Sequence, residues 1–190
     1  MINNKLTVGI TQGDGNGIGY EVIIKALADA RILDGFTPVI YGSSKIFGFY
    51  RKQIHNLEQL DTYVINSAKD AKVKKINILN CLPDNVYVEP GQATPDSAKS
   101  AITALERAVA DLKSGDIDVL VTGPINKRAM TNAGFGFTGH TEYLKQEFGV
   151  KDVTMFMISS QLKIGVVTGH IPLKNVPSSI TAEKILTKLR

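Results

Sequence analysis

Five residues able to donate or accept hydrogen bonds crowd one part of this 190-residue chain: Thr122, Asn126, Lys127, His140 and Thr141. They follow the apolar run Ile117-Asp118-Val119-Leu120-Val121, which reads as a buried strand. Gly123 relaxes the backbone and Pro124 stops the strand, so the polar residues fall at its carboxyl end. Ligands of open α/β sheets sit outside such strand ends. A second polar strand end is expected at Val166-Val167-Thr168-Gly169-His170, and the two ends read as two walls of one site. Lys127, with Asn126 beside it, offers a compact charge suited to an anion such as phosphate. The imidazole of His140 and the hydroxyls of Thr138 and Thr141 can bond substrate oxygens. His170, followed by Ile171-Pro172, can present a neutral imidazole to a metal. Two histidines do not complete a catalytic zinc centre, which takes three protein ligands. The residues therefore point to an α/β enzyme acting on a small anion, with a metal they do not complete alone.

The elements that must position these residues alternate along the chain. A short strand at Leu6-Thr7-Val8-Gly9-Ile10 runs into Gln12-Gly13-Asp14-Gly15-Asn16-Gly17, and a helix over about 18–30 carries Val22, Ile23, Ala26, Leu27 and Ala30. Strand, glycine loop and helix open a βαβ unit. Ile18 and Tyr20 stand where a dinucleotide fingerprint needs its last glycine, so that fingerprint is absent. The loop is then either a set of amides facing a ligand or a tight turn into the helix. Strands are predicted at 37–42, 63–65 and 76–79, with an extended piece at 86–91. A helix capped by Ser43 or Ser44 carries Ile46, Phe47, Phe49 and Tyr50. A long helix over 97–114 buries Ala98, Ala101, Ile102, Leu105, Ala108, Val109 and Leu112, and Gly115 ends it. After His140 comes an amphipathic helix with Tyr143, Leu144 and Phe148. Runs 153–158 and 162–167, joined by Ser159-Ser160-Gln161, predict an antiparallel hairpin in which Met155 and Met157 pack in the core. Pro172 and Pro177 bracket a loop before a last helix. The pattern is α/β with a mostly parallel sheet and an antiparallel hairpin. A first lobe is expected over 1–120 and the start of a second, carrying the substrate and metal residues, over 121–190.

Composition narrows the class. A hydrophobic content of 43% and charged content of 21% are ordinary for a globular protein. The net charge of +4 is mild, and no basic run interleaves with aromatics, which argues against nucleic acid. The Lys69 to Lys75 patch reads as a solvated face, and His55 as a surface histidine. Cys81, the single cysteine, excludes an intrachain disulfide and a cysteine-rich zinc site. No signal-peptide pattern or membrane-spanning run is present, so a cytoplasmic protein is expected.

Three motifs carry a family resemblance. Thr122-Gly123-Pro124-Ile125-Asn126-Lys127, Phe137-Thr138-Gly139-His140-Thr141-Glu142 and Thr168-Gly169-His170-Ile171-Pro172-Leu173 resemble the 4-hydroxythreonine-4-phosphate dehydrogenase family of pyridoxal phosphate biosynthesis. The stretch from Gly13 to Glu21 resembles that family's opening motif, with Gly15 and Tyr20 where proline usually stands. The resemblance implies αβα layers like those of isocitrate and isopropylmalate dehydrogenases. It implies NAD-dependent, divalent-metal-dependent (zinc, magnesium or cobalt) oxidation and decarboxylation of 4-phosphooxy-L-threonine, in a homodimer. His140 and Thr141 match substrate-binding positions, and His170 matches the first of three metal histidines. No catalytic or NAD-binding residue is matched here. Family chains are nearly twice as long, so an N-terminal portion is expected, one that is inactive by itself. The alternative substrates are phosphothreonate and phosphoerythronate, and the alternative outside catalysis is an inactive binding fragment.

Overall fold

The β-rich run after Leu6 forms the interior of a parallel sheet. In the computed structural model, which describes residues 5–57 and 60–189, β1 (Thr7–Thr11) lies between β2 (Thr37–Gly42) and β5 (Val119–Thr122). With β3 (Thr62–Ile65) and β4 (Ile76–Asn80) the order is β3-β4-β2-β1-β5, all parallel. Thr7 is registered with Thr37 on one side, and Val8 with Val119 on the other.

Side chains alternate across each strand, so the sheet presents two apolar faces. Val8, Ile10, Ile40, Ile76 and Ile78 point to one face, covered by α1 (Gly19–Leu27) and α2 (Ser44–Arg51). Val39, Tyr41 and Leu79 point to the other, covered by α3 (Pro95–Ser114) through Ala104 and Ala108. The result is the expected αβα layering. α1 buries Tyr20, Ile23, Ile24 and Leu27, whereas Val22, Ala26 and Ala30 of the expected stripe are exposed. It also ends at Leu27, because the Asp29 carboxylate caps a separate 3-10 turn over Ala30–Asp34. Ser43 caps α2 as expected, and Thr94 caps α3, which closes on Gly115 in the left-handed conformation. Residues 86–91 form no strand.

Several buried polar groups in this unit are matched. Tyr41 donates to the Asp111 carboxylate at 2.8 Å, and Arg107 reaches the same carboxylate at 3.1 Å. Asn77, inside β4, donates to the carbonyls of Pro38, Lys72 and Lys75, each at 3.0 Å. Such matching removes the desolvation cost of a buried amide. The Lys69–Lys75 patch is ion-paired, Lys69 to Asp116, Lys74 to Asp34 and Lys75 to Asp61. Cys81 follows β4, and burial pushes its thiol up to about 11.

The compact units divide as Met1–His140 and Thr141–Arg190. The boundary expected at 120–121 instead falls inside β5, which is bonded to β1 and so belongs to the first unit. β5 is also not the buried strand expected. It is the edge of the sheet, with Val119 and Val121 exposed and Ile117 buried just before it. Short helix α4 (Lys127–Asn132) completes the first unit before α5 (His140–Glu147) begins.

The second unit contains the expected antiparallel pair, trimmed to β6 (Phe156–Ile158) and β7 (Lys163–Gly165), with Met157 opposite Ile164. A 3-10 turn over Leu173–Asn175 and α6 (Val176–Ser179) replace the expected loop, and α7 (Ala182–Leu189) ends the described chain. Lys188 binds Asp152 at 2.7 Å and donates to the Val153 carbonyl, tying α7 to the segment before β6. Met155 and Met157 are exposed rather than in a core, as are both faces of the hairpin. No helix among the described residues is long and apolar enough to cross a membrane.

Ile158 is 69% and Leu162 60% exposed at the hairpin turn. Contiguous apolar exposure of this kind favours dye binding or association. The purified chain is expected to bind a hydrophobic dye, and the double change Ile158→Lys, Leu162→Lys to reduce that binding. Dye binding unaffected by the double change would place the apolar surface elsewhere.

Candidate functional site

The candidate site stands on the carboxyl ends of β1 and β5. The Gly123 amide donates to the backbone carbonyl and hydroxyl of Thr11, at 3.1 and 3.2 Å. That approach leaves no room for a side chain, since a Cβ on Gly123 would stand 2.6 Å from the Thr11 carbonyl oxygen. One residue further, the Asp14 amide donates to the Pro124 carbonyl at 2.8 Å. Gly13 allows this with a φ of 71°, and a Cβ there would meet the Pro124 oxygen at 2.2 Å. The loops after β1 and β5 are thus fastened to each other where the sheet order changes direction.

This decides between the two readings of the glycine loop. Three of its amides are used internally. Asp14 bonds to Pro124, while Asn16 and Gly17 donate to the Asp14 carboxylate and carbonyl, each at 3.0 Å. The loop acts as a brace. The Asn16 side chain extends the brace to residues 89–94, donating to the Gln92 carbonyl and the Thr94 hydroxyl and accepting from the Glu89 amide. Tyr20, fully buried, donates to Gln12 Oε1 and accepts from the Ser43 amide at 2.8 Å. It stacks on Tyr50, whose hydroxyl donates to the Gly15 carbonyl at 2.8 Å. Gly15 and Tyr20 therefore belong to one network. Burial pushes the Tyr20 hydroxyl far above its ordinary range, which keeps it a neutral donor. Gln12 Nε2 is buried without a partner among the described residues.

Beyond the brace, the expected residues separate by role. Asn126 Oδ1 accepts from the Ala129 amide at 3.0 Å, so its oxygen caps α4 instead of meeting an anion. Lys127 is exposed, and its ammonium has no ion pair or hydrogen bond among the described residues. Ala129 and Met130 are buried and anchor α4. The chain then folds back, with Ala133 and Phe135 amides donating to Ala129 and Met130 carbonyls at 2.9 Å and with Phe135 packed edge-on to Phe137 at 5.2 Å. That return brings His140, half-buried at the start of α5, under the influence of the Lys127 charge. Burial first, and the Lys127 ammonium second, hold its imidazole below the ordinary 6.5. Thr141 follows exposed on the same helix.

His170 does not occupy the expected strand end. β7 stops at Gly165, and His170 lies exposed in a bend of the second unit. Among the described residues no group of three or more histidine, cysteine, aspartate and glutamate side chains could hold a metal. The described residues alone do not complete a metal centre. Sequence reading also missed a cleft of about 520 Å³ beside α1, lined by Asn16, Glu21, Lys25, Tyr50 and His55 among others. Its residues come from three separate segments, with no shared motif to reveal them.

Two outcomes are expected. Gly13→Ala meets a backbone oxygen as well as a left-handed φ, whereas Gly91→Ala, at φ 80°, meets only open space. Urea unfolding should show a loss of about 1–2 kcal/mol for Gly91→Ala and a clearly larger one for Gly13→Ala, and equal losses would contradict the docking of Gly13 on Pro124. His140 binds fewer protons folded than unfolded, so its contribution to stability falls as pH drops through 6.5 toward its lowered native value. His140→Gln should flatten the stability profile in that window, and an unchanged profile would mean that the imidazole is not held neutral.

Comparison with known proteins assigns the chain. Residues 34–190 match the family model described as pyridoxal phosphate biosynthetic protein PdxA. A 4-hydroxythreonine-4-phosphate dehydrogenase from Bacteroides thetaiotaomicron is 40% identical over 190 residues, covering 100% of this chain and 52% of the relative. That from Aquifex aeolicus is 40% identical over 185 residues, covering 96% and 55%. A Clostridium botulinum relative, 28% identical and covering 98% of this chain and 56% of its own length, is provisionally named a D-threonate 4-phosphate dehydrogenase. The crystal structure of the Burkholderia phymatum 4-hydroxythreonine-4-phosphate dehydrogenase superposes with a TM-score of 0.84 at 28% identity, covering 98% of this chain and 57% of that one. The chain spans about half the length of the curated relatives it matches. Fold, motifs and whole-chain similarity agree, and the chain belongs to the pyridoxal phosphate biosynthetic protein PdxA family.

Proposed function

We propose that the chain supplies the substrate-recognition part of an oxidoreductase acting on 4-phosphooxy-L-threonine in pyridoxal phosphate biosynthesis, with NAD and a divalent metal. The observation that carries this reading is similarity over the whole chain to relatives named 4-hydroxythreonine-4-phosphate dehydrogenases. The site chemistry supports it. A neutral imidazole at His140 can both donate to and accept from substrate oxygens, and Thr141 adds a hydroxyl. The brace between Gly13 and Pro124 fixes the base of the segment leading to Lys127, and rigid placement is what orients a substrate for reaction. His170 is proposed as one ligand of the metal, whose role when bound would be to acidify the substrate alcohol and stabilise the enolate left by decarboxylation. No step is derived through it, because the described residues assemble no complete ligand set. A cytoplasmic homodimer is part of the same proposal.

The second reading is a dehydrogenase of a phosphorylated four-carbon sugar acid, phosphothreonate or phosphoerythronate. The provisionally named D-threonate 4-phosphate relative favours it.

A chimaera tests both, with residues 1–190 replacing the matching part of the Bacteroides thetaiotaomicron relative. It should reduce NAD with 4-phosphooxy-L-threonine, while the chain alone should not. In the chimaera His140→Ala should weaken substrate binding with metal content kept. A lost bond to a charged group costs about 1.5–3 kcal/mol, or roughly tenfold to hundredfold in affinity. His170→Ala should instead lower metal content. Preference for D-threonate 4-phosphate would select the second reading, and a folded chimaera inactive on every substrate would leave only a binding fragment.

A further inference from the structure

Lys127 is the charged residue of the site that has no assigned role. Six other lysines of the first unit, Lys5, Lys25, Lys45, Lys69, Lys74 and Lys75, lie within 4.0 Å of a carboxylate. Lys127 has no such partner among the described residues, although it stands at a fixed place. Three bonds fix the segment before it to β1 and its loop, those from Gly123 to the Thr11 carbonyl and hydroxyl and from Asp14 to Pro124. The Asn126 cap and buried Ala129 and Met130 fix the helix it begins. A cation held at the carboxyl edge of a parallel sheet, at the change in strand order, lies where such sheets bind ligands. Arg128, the next residue, adds a second exposed cation, and Glu142 is the acidic residue in the first turn of α5.

We propose that Lys127 is a substrate-positioning residue that binds the phosphoryl group of the substrate beside His140. The ammonium supplies charge, and the neutral imidazole supplies one N–H to the same group without adding a second positive charge. A compact ammonium suits a phosphate oxygen, whereas a planar carboxylate is better matched by a guanidinium. The identification of the anion as a substrate phosphoryl rests on the dehydrogenase reading above. Binding of phosphate at Lys127 does not.

The test uses the 190-residue chain and inorganic phosphate. The chain has three histidines, so the His140 ring resonance can be assigned by substitution and followed in proton NMR titrations. In the unmodified chain, phosphate should raise the His140 midpoint by offsetting the Lys127 charge. Lys127→Gln should raise the midpoint without phosphate, and should weaken phosphate binding by about tenfold or more. Lys127→Arg keeps the charge and should keep the phosphate response within a few-fold, which separates a lost charge from a misfolded loop. Acetate should produce a smaller shift than phosphate at equal concentration. The proposal is overturned if Lys127→Gln leaves the His140 midpoint and the phosphate affinity unchanged, or if acetate matches phosphate. An inactive chimaera with these shifts intact would defeat the dehydrogenase reading and leave the phosphate site standing.

Discussion

The structure of the site depends on one backbone contact, the Asp14 amide on the Pro124 carbonyl at 2.8 Å. It joins the loops that leave two neighbouring parallel strands in different directions. Without it, the Gly123–Asn126 segment would lose one of the three bonds that fix it to β1 and its loop, at the end of an edge strand whose outer side has no partner among the described residues. Gly13 and Gly123 permit the contact because each brings backbone to within a distance that a Cβ would prevent. A loop rich in glycine would ordinarily raise the conformational entropy lost on folding. Here the Asp14 and Asn16 side chains recover order by bonding within the loop and to residues 89–94.

The brace is reinforced by aromatic side chains. The Tyr50 hydroxyl holds the Gly15 carbonyl, and Tyr20 holds Gln12 and Ser43. Both rings also contribute to the core over α1 and α2, so rigidity of the loop is tied to packing of the first unit.

Much of the layering was legible because it follows from periodicity. The helix over 97–114 carries an apolar stripe and a terminal Gly115, and it formed with nearly those bounds. The parallel strands read as short apolar runs between polar loops. What was not legible is where a run stands in the sheet. Ile117–Val121 looks like a buried strand, but its position at the edge is a property of strand order, which no local pattern encodes. Met155 and Met157 mislead for the same reason, since apolar character says nothing about whether a partner surface is present. At the site, residue types pointed to Lys127 and His140. That Asn126 would be consumed as a cap, and that His170 would lie in a bend after a shortened strand, depended on local hydrogen bonding.

His140 and Lys127 illustrate why such a site must be partly buried. A solvated histidine near pH 7 fluctuates between charged and neutral forms. Half-burial and the Lys127 ammonium both favour the neutral form. A neutral imidazole adds a hydrogen-bond donor without adding a further positive charge to the empty protein. The most direct measurement is diffraction from crystals of the chain grown with 4-phosphooxy-L-threonine. The expected result is ligand density with its phosphoryl group within hydrogen-bond reach of Lys127 Nζ and the His140 ring. Ordered ligand in the cleft beside His55, with Lys127 and His140 uncontacted, would contradict the account.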